Sequence, residues 1–357
     1  MMKLNDLKWR AFNVTDIFDH IQRGKRLKNA DHIPGNWPYV SSSALNNGVA
    51  DWIKPTENSR FFGESISLAN SGSVGTAFYE PFDYVASDHI TSFHLGNGSK
   101  YIYLFMVACL EKQKHNFSFN REVNEARLKR LRIMLPVNAM DQPDYDFMSD
   151  YVRERLSQKR QSYLDDVNDR LAELGTVQSL PAINSMDWKP FVINELFSKL
   201  VGGKGKGLVH LRQVDSGGIE YLGATNRNNG VLCRVALDDV SKPMVQSGNC
   251  IGFIKNGDGA AGYAIYKKEP FISTTDVIYG YAHWLNPYTG LFFVGSQDLI
   301  RPKYGHGYKR NARHLRVDKV MLPTMSDGTP DYKYMEQYVK NKMIQKYNNY
   351  LQYINAR

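Results

Sequence analysis

The chain has 357 residues, 42% of them hydrophobic and 23% charged, a length for two domains and a composition that can bury real cores. Lysine and arginine number 45 against 36 acids, a net charge of +9 that points to a polyanionic partner and says nothing about fold. The longest apolar run, Tyr101 to Leu110, is half of the ~20 residues a membrane span needs, and Met1 to Arg10 has no signal-peptide core. Three cysteines, Cys109, Cys233 and Cys250, form no CxxC pair, which fits a reducing cytoplasm and argues against a disulfide scaffold or a zinc knuckle.

In chain order, Trp9, Phe12 and Phe18 mark a first apolar segment, followed by a basic cluster of Arg23, Lys25, Arg26 and Lys28. Pro38–Val40 reads as a strand that leads into Ser41, Ser42, Ser43, Asn46 and Asn47, with a turn at Asn47-Gly48. Ser65–Leu68, Tyr84–Ala86 and His89–Phe93 read as further strands. Between them, Asn70-Ser71-Gly72-Ser73 is a tight turn whose amides could face an anion. Tyr101–Lys114 reads as a helix. Arg121, Arg127, Lys129, Arg130 and Arg132 then crowd the end of this region. After Pro143-Asp144 the apolar positions Met148, Val152, Leu156, Leu164, Val167, Leu171 and Leu174 recur at three and four, a helical stripe with Asp144 as its cap or first-turn acid.

The pattern then starts again. Trp188, Phe191, Phe197 and Gly203-Lys204 repeat Trp9, Phe12, Phe18 and Gly24-Lys25 at an offset of 179. Tyr221-Leu222 leads to Asn228-Asn229-Gly230, as Tyr39-Val40 leads to Asn46-Asn47-Gly48. Gly259-x-x-Gly262 matches Gly72-x-x-Gly75, and Ala86-Ser87-Asp88 is aligned with Thr274-Thr275-Asp276. Met321-Leu322-Pro323 and Pro330-Asp331-Tyr332 match Met134-Leu135-Pro136 and Pro143-Asp144-Tyr145 at offset 187. Drift of this size is what loop insertions produce, and a period this long means two whole domains rather than a solenoid. In the second copy Cys250–Ile254 and Asp276–Tyr281 read as strands and Leu291–Leu299 as the counterpart helix. A second stripe runs through Met335, Val339, Met343, Tyr347, Leu351 and Ile354. Each copy is thus expected to be a mixed α/β domain followed by a long helix. Neither stripe finds a partner inside its own copy, so the two helices are expected to pack on each other.

Charge follows the repeat. Residues 1–140 carry +4, 141–186 carry −4, 187–323 carry +7 and 324–357 carry +2. Catalytic signals are missing by comparison. The two Pro-Asp pairs lack a following (D/E)xK and both precede a helix, so they initiate helices rather than open a nuclease motif. Gly202–Gly207 lacks phosphate-loop spacing and its hydroxyl, and reads as a basic turn. His89 and His94, five apart on a strand, face opposite ways and share no metal easily. No Gly-x-Ser-x-Gly elbow and no Asn/Asp-Pro-Pro-Tyr methyltransferase motif occurs. What remains are polar, basic loops in both copies. The DNA-facing set expected from them is Arg23, Lys25, Arg26, Lys28, Ser41, Ser42, Ser43, Asn46, Asn47, Asn70, Ser71, Ser73, His89, Arg121 and Arg127 in the first copy. In the second it is Lys204, Lys206, Thr225, Asn226, Arg227, Asn228, Lys255, Asn256, Lys303, Arg310 and Arg313. Arg and Lys suit phosphates and guanine edges, and Asn suits adenine.

Two loop-rich basic domains, each followed by a helix, resemble the specificity subunits of type I restriction–modification systems, and more closely those of BcgI-like type IIB enzymes. The residues carrying the resemblance are Trp9-x-x-Phe12, Asp16-Ile17-Phe18, Arg23-Gly24-Lys25-Arg26-Leu27, Pro38 through Gly48, Ala69 through Tyr79, Ala86-Ser87-Asp88-His89, Asn120 through Asn124, Leu135-Pro136 and Pro143-Asp144-Tyr145. It spans nearly the whole chain and is weaker in the second copy, where Gly202–Gly207 and Asp215–Gly218 depart from it. The resemblance implies a non-catalytic DNA reader in the cytoplasm, with no membrane partner. Its target-recognition domains would be residues 1–140 and 183–323, its spacer helices residues 141–182 and 324–357, paired as an antiparallel coiled coil. Each domain would read half of a bipartite, asymmetric site in double-stranded DNA. The helices would dock methyltransferase subunits, or fused restriction–modification subunits. Those partners would carry S-adenosylmethionine, with magnesium left open, and this chain would hold no metal. Two alternatives stand beside it: an independent metal-dependent nucleic-acid enzyme, and a duplicated protein-binding scaffold.

Overall fold

The computed structural model describes residues 4–118, 120–257, 259–305 and 307–356. The chain divides into two compact units, Met1–Tyr163 and Leu164–Arg357. The first contains β1 (Trp9–Asn13), α1 (Val14–Ile17), β2 (His20–Arg23), β3 (Pro34–Val40), β4 (Val49–Ile53), β5 (Phe61–Phe62), β6 (Ser65–Ala69), β7 (Ala77–Glu80), β8 (Tyr84–Ala86) and β9 (Ile90–His94). It continues through α2 (Lys100–Glu111), α3 (Glu125–Leu128) and β10 (Arg132–Pro136) into α4 (Tyr145–Leu174), which ends in the second unit. That unit then runs through β11 (Trp188–Val192), α5 (Ile193–Leu196), β12 (Lys199–Gly202), β13 (Gln213–Val214), β14 (Ile219–Leu222), β15 (Val231–Val235), β16 (Cys250–Ile254), β17 (Ala264–Lys267), β18 (Phe271–Ser273) and β19 (Val277–Tyr281). It closes with α6 (Pro287–Gln297), α7 (Ala312–Val317), β20 (Lys319–Pro323) and α8 (Tyr332–Asn355).

The repeat is real in three dimensions. Each copy has an antiparallel four-stranded sheet, β2-β9-β6-β7 or β12-β19-β16-β17, and a second, mixed sheet, β4-β3-β8-β5 or β13-β15-β14-β18. The mixed sheet holds one parallel pair in each copy, β3 with β8 and β14 with β18. A two-stranded ribbon closes each copy, with Trp9 opposite Pro136 and Trp188 opposite Pro323. Strand β6 is buried throughout, as is β16, which explains why both read as unbroken short apolar runs rather than alternating ones. Strand register also corrects the alignment of the two copies. Val40 pairs with Ala86 and Leu222 with Ser273, so Ala86-Ser87-Asp88 corresponds to Ser273-Thr274-Thr275, one residue earlier than sequence matching placed it. Strand β9 starts at Ile90, leaving His89 in the turn before it.

Both Pro-Asp pairs start helices as read. Asp144 Oδ1 accepts from the Phe147 amide at 2.9 Å, and Asp331 Oδ1 from the Tyr334 amide at 2.9 Å. The expectation that neither stripe has a partner in its own copy is corrected. Met148 of α4 is fully buried in the first core, with Tyr145, Phe147, Tyr151 and Val152 packed around it. Met335 and Tyr334 of α8 enter the second core in the same way. Bulky aromatics in the first two turns are what dock each helix on its own domain. Farther along, Val167 and Leu174 of α4 and Ile344 of α8 are also buried. The segment after α4 is strapped to α8: Gln178 and Asn341 exchange two hydrogen bonds, at 3.0 and 2.7 Å, and Tyr334 donates its hydroxyl to Pro181 O.

One buried acid stands out in the first unit. Glu80, at the end of β7, is fully buried; Oε1 accepts from Ser67 at 2.7 Å, while Oε2 has no partner among the described residues. Burial pushes its carboxyl from its ordinary 4.5 up to about 7. The folded state therefore favours the protonated acid. Stability is unaffected below pH 4.5, falls as pH rises from 4.5 to about 7, and stays lowered above that, by about 3 kcal/mol. Glu80→Gln is expected to raise the melting temperature of the first unit at pH 8 and to leave it nearly unchanged at pH 4.5. A variant that melts identically to the parent at both values would refute this account.

Candidate nucleic-acid interface

The basic turn after β2 is built the same way in both copies. The Gly24 amide donates to Ile90 O and the Lys25 amide to Ala86 O; the Gly203 amide donates to Val277 O and the Gly205 amide to Ser273 O. A Cβ on Gly24 would sit 2.1 Å from Ser87 O, and one on Gly203 1.9 Å from Thr274 O. Only glycine lets the two backbones come this close. The amides are spent on strand carbonyls, so this is no phosphate loop. Its Lys25, Arg26, Lys28, Lys204 and Lys206 side chains are exposed.

In the first unit, Arg26, Lys28, Ser41 and His89 line one groove of about 750 Å³, together with His32, Tyr39, Asp51 and Asp88. His32 Nδ1 lies 2.7 Å from Asp51 Oδ2, and Ser87 donates to Ser41 at 3.3 Å. The His32 contact and the Trp52 amide hold the exposed Asp51 carboxyl below its ordinary value. Asn46 and Asn47 lie elsewhere, in an aromatic groove of about 790 Å³ with Trp37, Trp52 and Phe82. Their φ values of 52° and 51°, followed by 72° at Gly48, make the left-handed turn that sequence read at Asn47-Gly48. Asn228, Asn229 and Gly230 repeat it at 47°, 48° and 79°.

Asn70 and Ser71 do not project into solvent. Both are buried: Asn70 Nδ2 donates to Asp88 O at 3.3 Å, and Ser71 Oγ bonds His89 Nδ1. They hold the Asp88-His89 turn, while Asn70 Oδ1 has no partner among the described residues and Asn70 lines the groove shared by Arg23 and Lys129. The Asn70 and Ser73 amides are likewise taken, by His89 O and Ser42 O, so this turn does not present four amides to an anion. Gly72 packs on Ser42, which joins this turn to the Ser41–Ser43 loop. Ser43 accepts from the Leu45 amide at 3.1 Å. Arg23 donates to Asp88 O and shares a third groove with Lys129. Arg121 is exposed, while Arg127 donates to Glu122 O at 2.7 Å.

In the second unit Asn226, Arg227, Asn228 and Arg313 are exposed, and Thr225 caps the Arg227 amide at 3.1 Å. Lys255 is half-buried. Asn256 lines a groove of about 340 Å³ with Arg301, Tyr304 and Lys309. Arg310 is the clearest correction. It has no exposed surface; its Nε lies 2.9 Å from Asp318 Oδ2, and its Nη1 reaches Gly262 O and Gln297. Lys303 Nζ lies 2.8 Å from Asp318 Oδ1, so it too is tied to this buried acid. A guanidinium with no solvent access cannot reach DNA. The sequence signal was an Arg in a basic stretch; the missing signal was Asp318, eight residues on. Sequence reasoning also passed over Arg301, which packs on the Gly259–Gly262 turn as Lys114 packs on Gly72–Gly75, at offset 187. The repeat itself could have found that pair.

Among the described residues no cluster of three or more His, Cys, Asp or Glu could hold a metal ion, and no helix is long and apolar enough to cross a membrane. The buried thiols of Cys109 and Cys250 are pushed up to about 11 and 12 by desolvation, so both stay protonated and unreactive at neutral pH. Two copies of one domain, each presenting basic and polar loops around concave grooves, make this a tandem protein whose surfaces suit a polyanion.

Comparison fixes its family. The type I restriction modification DNA specificity domain matches twice, over residues 7–164 and 185–353, and the chain belongs to that family. It is a specificity subunit with two tandem recognition domains, a class that reads DNA within restriction–modification complexes and is not itself catalytic. The curated type II restriction enzyme BgcI specificity subunit S.BcgI of Heyndrickxia coagulans is 27% identical over 349 residues, 95% of this chain and 97% of that protein. The crystal structure of a type I restriction–modification system S subunit from M. genitalium is similar in fold, with a TM-score of 0.57 at 16% identity. The match covers 99% of this chain and 94% of that one.

Proposed function

We propose that each recognition domain reads one half of a bipartite, asymmetric duplex site. In this reading α4 and α8 pair as an antiparallel coiled coil that sets the half-site spacing. Methyltransferase subunits, or fused restriction–modification subunits, supply S-adenosylmethionine and the chemistry on a flipped adenine. The observation that carries this is the contrast between frame and grooves. The two copies share sheet order, ribbon register and the glycine-anchored basic turn. At equivalent positions, however, Trp52 of the first copy corresponds to Arg234 of the second, Asp51 to Cys233 and His89 to Asp276. One frame with two chemistries is what reading two different base sequences requires. At 1.5 Å per residue, α4 and α8 span about 45 and 36 Å, on the scale of one turn of B-DNA.

The decisive experiment is methylation by the partner subunits with and without this chain; equal, unselective modification in both would end the reading. A finer test concerns the second domain. Arg301→Ala with Lys309→Ala is expected to weaken duplex binding by the complex about tenfold and to lower the slope of log affinity against log salt by up to ~2. An unchanged slope would remove these two side chains from the phosphate contacts.

A further inference from the structure

The first unit carries a histidine–aspartate pair where the second carries two apolar side chains. Strand register places Asp51 opposite Tyr39, and Cys233 opposite Tyr221. The Tyr39 hydroxyl donates to Leu27 O and the Tyr221 hydroxyl to Lys206 O, an offset of 179 that makes Leu211 the equivalent of His32. Leu211 is buried, and Cys233 packs on the same apolar cluster. The frame therefore closes at this point without charge, and packing alone does not call for His32 and Asp51.

Asp51 is held as a fixed acceptor. Its Oδ2 lies 2.7 Å from His32 Nδ1, and its Oδ1 takes the Trp52 amide at 2.8 Å. A carboxylate only accepts, so the imidazole donates, and each carboxylate oxygen keeps a further lone pair. The two partners differ in exposure. The His32 side chain is 9% exposed and sits edge-on to Tyr39 at 4.6 Å, while the Asp51 side chain is 49% exposed. Both line the groove of about 750 Å³ that also holds Arg26 and Lys28, two exposed cations. Among the described residues Asp51 is ion-paired to His32 alone. The other acid of the groove, Asp88, lies 3.9 Å from His89 Nε2 and is less exposed, at 29%. An ion pair as open as Asp51 with His32 contributes little to stability. What the buried imidazole gives the open carboxylate is a fixed aim.

A carboxylate in a basic groove repels phosphate. The N–H donors that a duplex offers it in the major groove are the amino groups of cytosine and adenine. Adenine sets an N7 acceptor beside its N6 amine, which suits an amide side chain; cytosine N4 has no acceptor beside it, which suits a carboxylate. We propose that Asp51 specifies cytosine at one position of the first half-site by accepting from its N4 amino group, with His32 as the positioning residue and Arg26 and Lys28 on flanking phosphates. The inference rests on the function proposed above and adds a residue, a base and the atom that is read. Cys233 offers no such acceptor, so the second domain reads its half-site through other groups.

The test uses the full chain in complex with its partner subunits, with methylation mapped over a random-sequence library and duplex affinity as readouts. Asp51→Asn is expected to relax one C·G pair of one half-site, to lower affinity for the parent duplex roughly ten- to hundredfold, and to leave the other half-site unchanged. A duplex carrying, at that position, a cytosine analogue without the N4 amine should cost the parent complex a similar factor and the Asp51→Asn complex almost nothing further. His32→Leu should lose most of the discrimination at that pair, and His32→Asn, which keeps a donor near the same place, should retain it. His32→Leu with Asp51→Cys copies the pair of the second domain. It is expected to melt with the parent and still lose the C·G preference, which separates folding from reading. Unchanged preference at every position with Asp51→Asn, loss of an adenine rather than a cytosine, or an analogue penalty as large in the variant as in the parent would each overturn the assignment. Methylation by the parent complex that ignored sequence would instead strike the underlying function.

Discussion

Replacing Asp318 by alanine is expected to destabilise the second unit by about 3–5 kcal/mol, because it leaves Arg310 charged and fully buried without its counter-ion. For a unit of this size each kcal/mol shifts the midpoint by about 2–4 °C, so its calorimetric transition should fall by roughly 6–20 °C. Asp318 serves three donors at once: Arg310 Nε at 2.9 Å, the Tyr304 hydroxyl at 2.7 Å and Lys303 Nζ at 2.8 Å. Burial pushes the Arg310 guanidinium below its usual range, and Asp318 counters that, so the side chain stays charged. The first unit has solved the same packing problem without charge. At offset 187, Leu110, Phe117, Val123 and Leu131 stand where Gln297, Tyr304, Arg310 and Asp318 stand, and all four belong to or pack on its apolar core. Gln297→Leu, Tyr304→Phe, Arg310→Val and Asp318→Leu made together are therefore expected to keep the transition within a few degrees of the parent, since a buried ion pair replaced by packed apolar groups is often neutral or better. If the fourfold variant lost as much as the single Asp318→Ala change, or if that change cost nothing, this account of the buried pair would fail.

That cluster also marks where sequence reading ran out. The frame was legible because it rests on local signals. Glycines at 24, 48, 203 and 230 mark turns and close approaches, Asp144 and Asp331 cap helices, and apolar runs such as Cys250–Ile254 give strands in place. Repeated motifs at offsets of 179 to 187 then doubled each signal. The grooves were less legible. Arg310 and Lys255 look alike in sequence, yet one is buried against an acid and the other half-exposed, because side-chain fate depends on a neighbour brought in by the fold. Asn70 and Ser71 show the same dependence: small polar residues in a turn look exposed in sequence, yet both are buried against Asp88 and His89. Net charge blurred the picture too. Of the second domain's +7, Lys267 and Arg234 are paired to Glu220, and Lys303 and Arg310 to Asp318, so the cations free to meet phosphate are a different set from the cations counted.

Exchanging the first domain for that of another family member is expected to change one half of the methylated motif and leave the other half intact. The junction decides whether the chimera folds well. A cut after residue 140 preserves the β1–β10 ribbon but leaves this chain's Phe147, Met148 and Tyr151 to meet a foreign core. Phe147 and Tyr151 contact the Phe105 ring at 6.5 and 6.0 Å, and Met148 is fully buried, so a mismatch there should cost about 1–3 kcal/mol of stability. A cut after Tyr163, where the first compact unit ends, carries these side chains with their own core. Both chimeras should read the donor's sequence in one half, with the longer exchange melting several degrees higher. Each base pair wrongly presented costs about 1–3 kcal/mol, so a half-site differing at three positions should lose about a thousandfold or more in affinity. Methylation mapped across a random-sequence library would report both halves and the spacing together. Spacing is the sharper control: the cut after residue 140 leaves all of α4 and α8 unexchanged, so in that chimera the separation of the two halves should stay that of the parent. A shift in both halves would show that the two domains do not read independently. A shift in spacing with this shorter exchange would place the ruler within residues 1–140 rather than along α4 and α8.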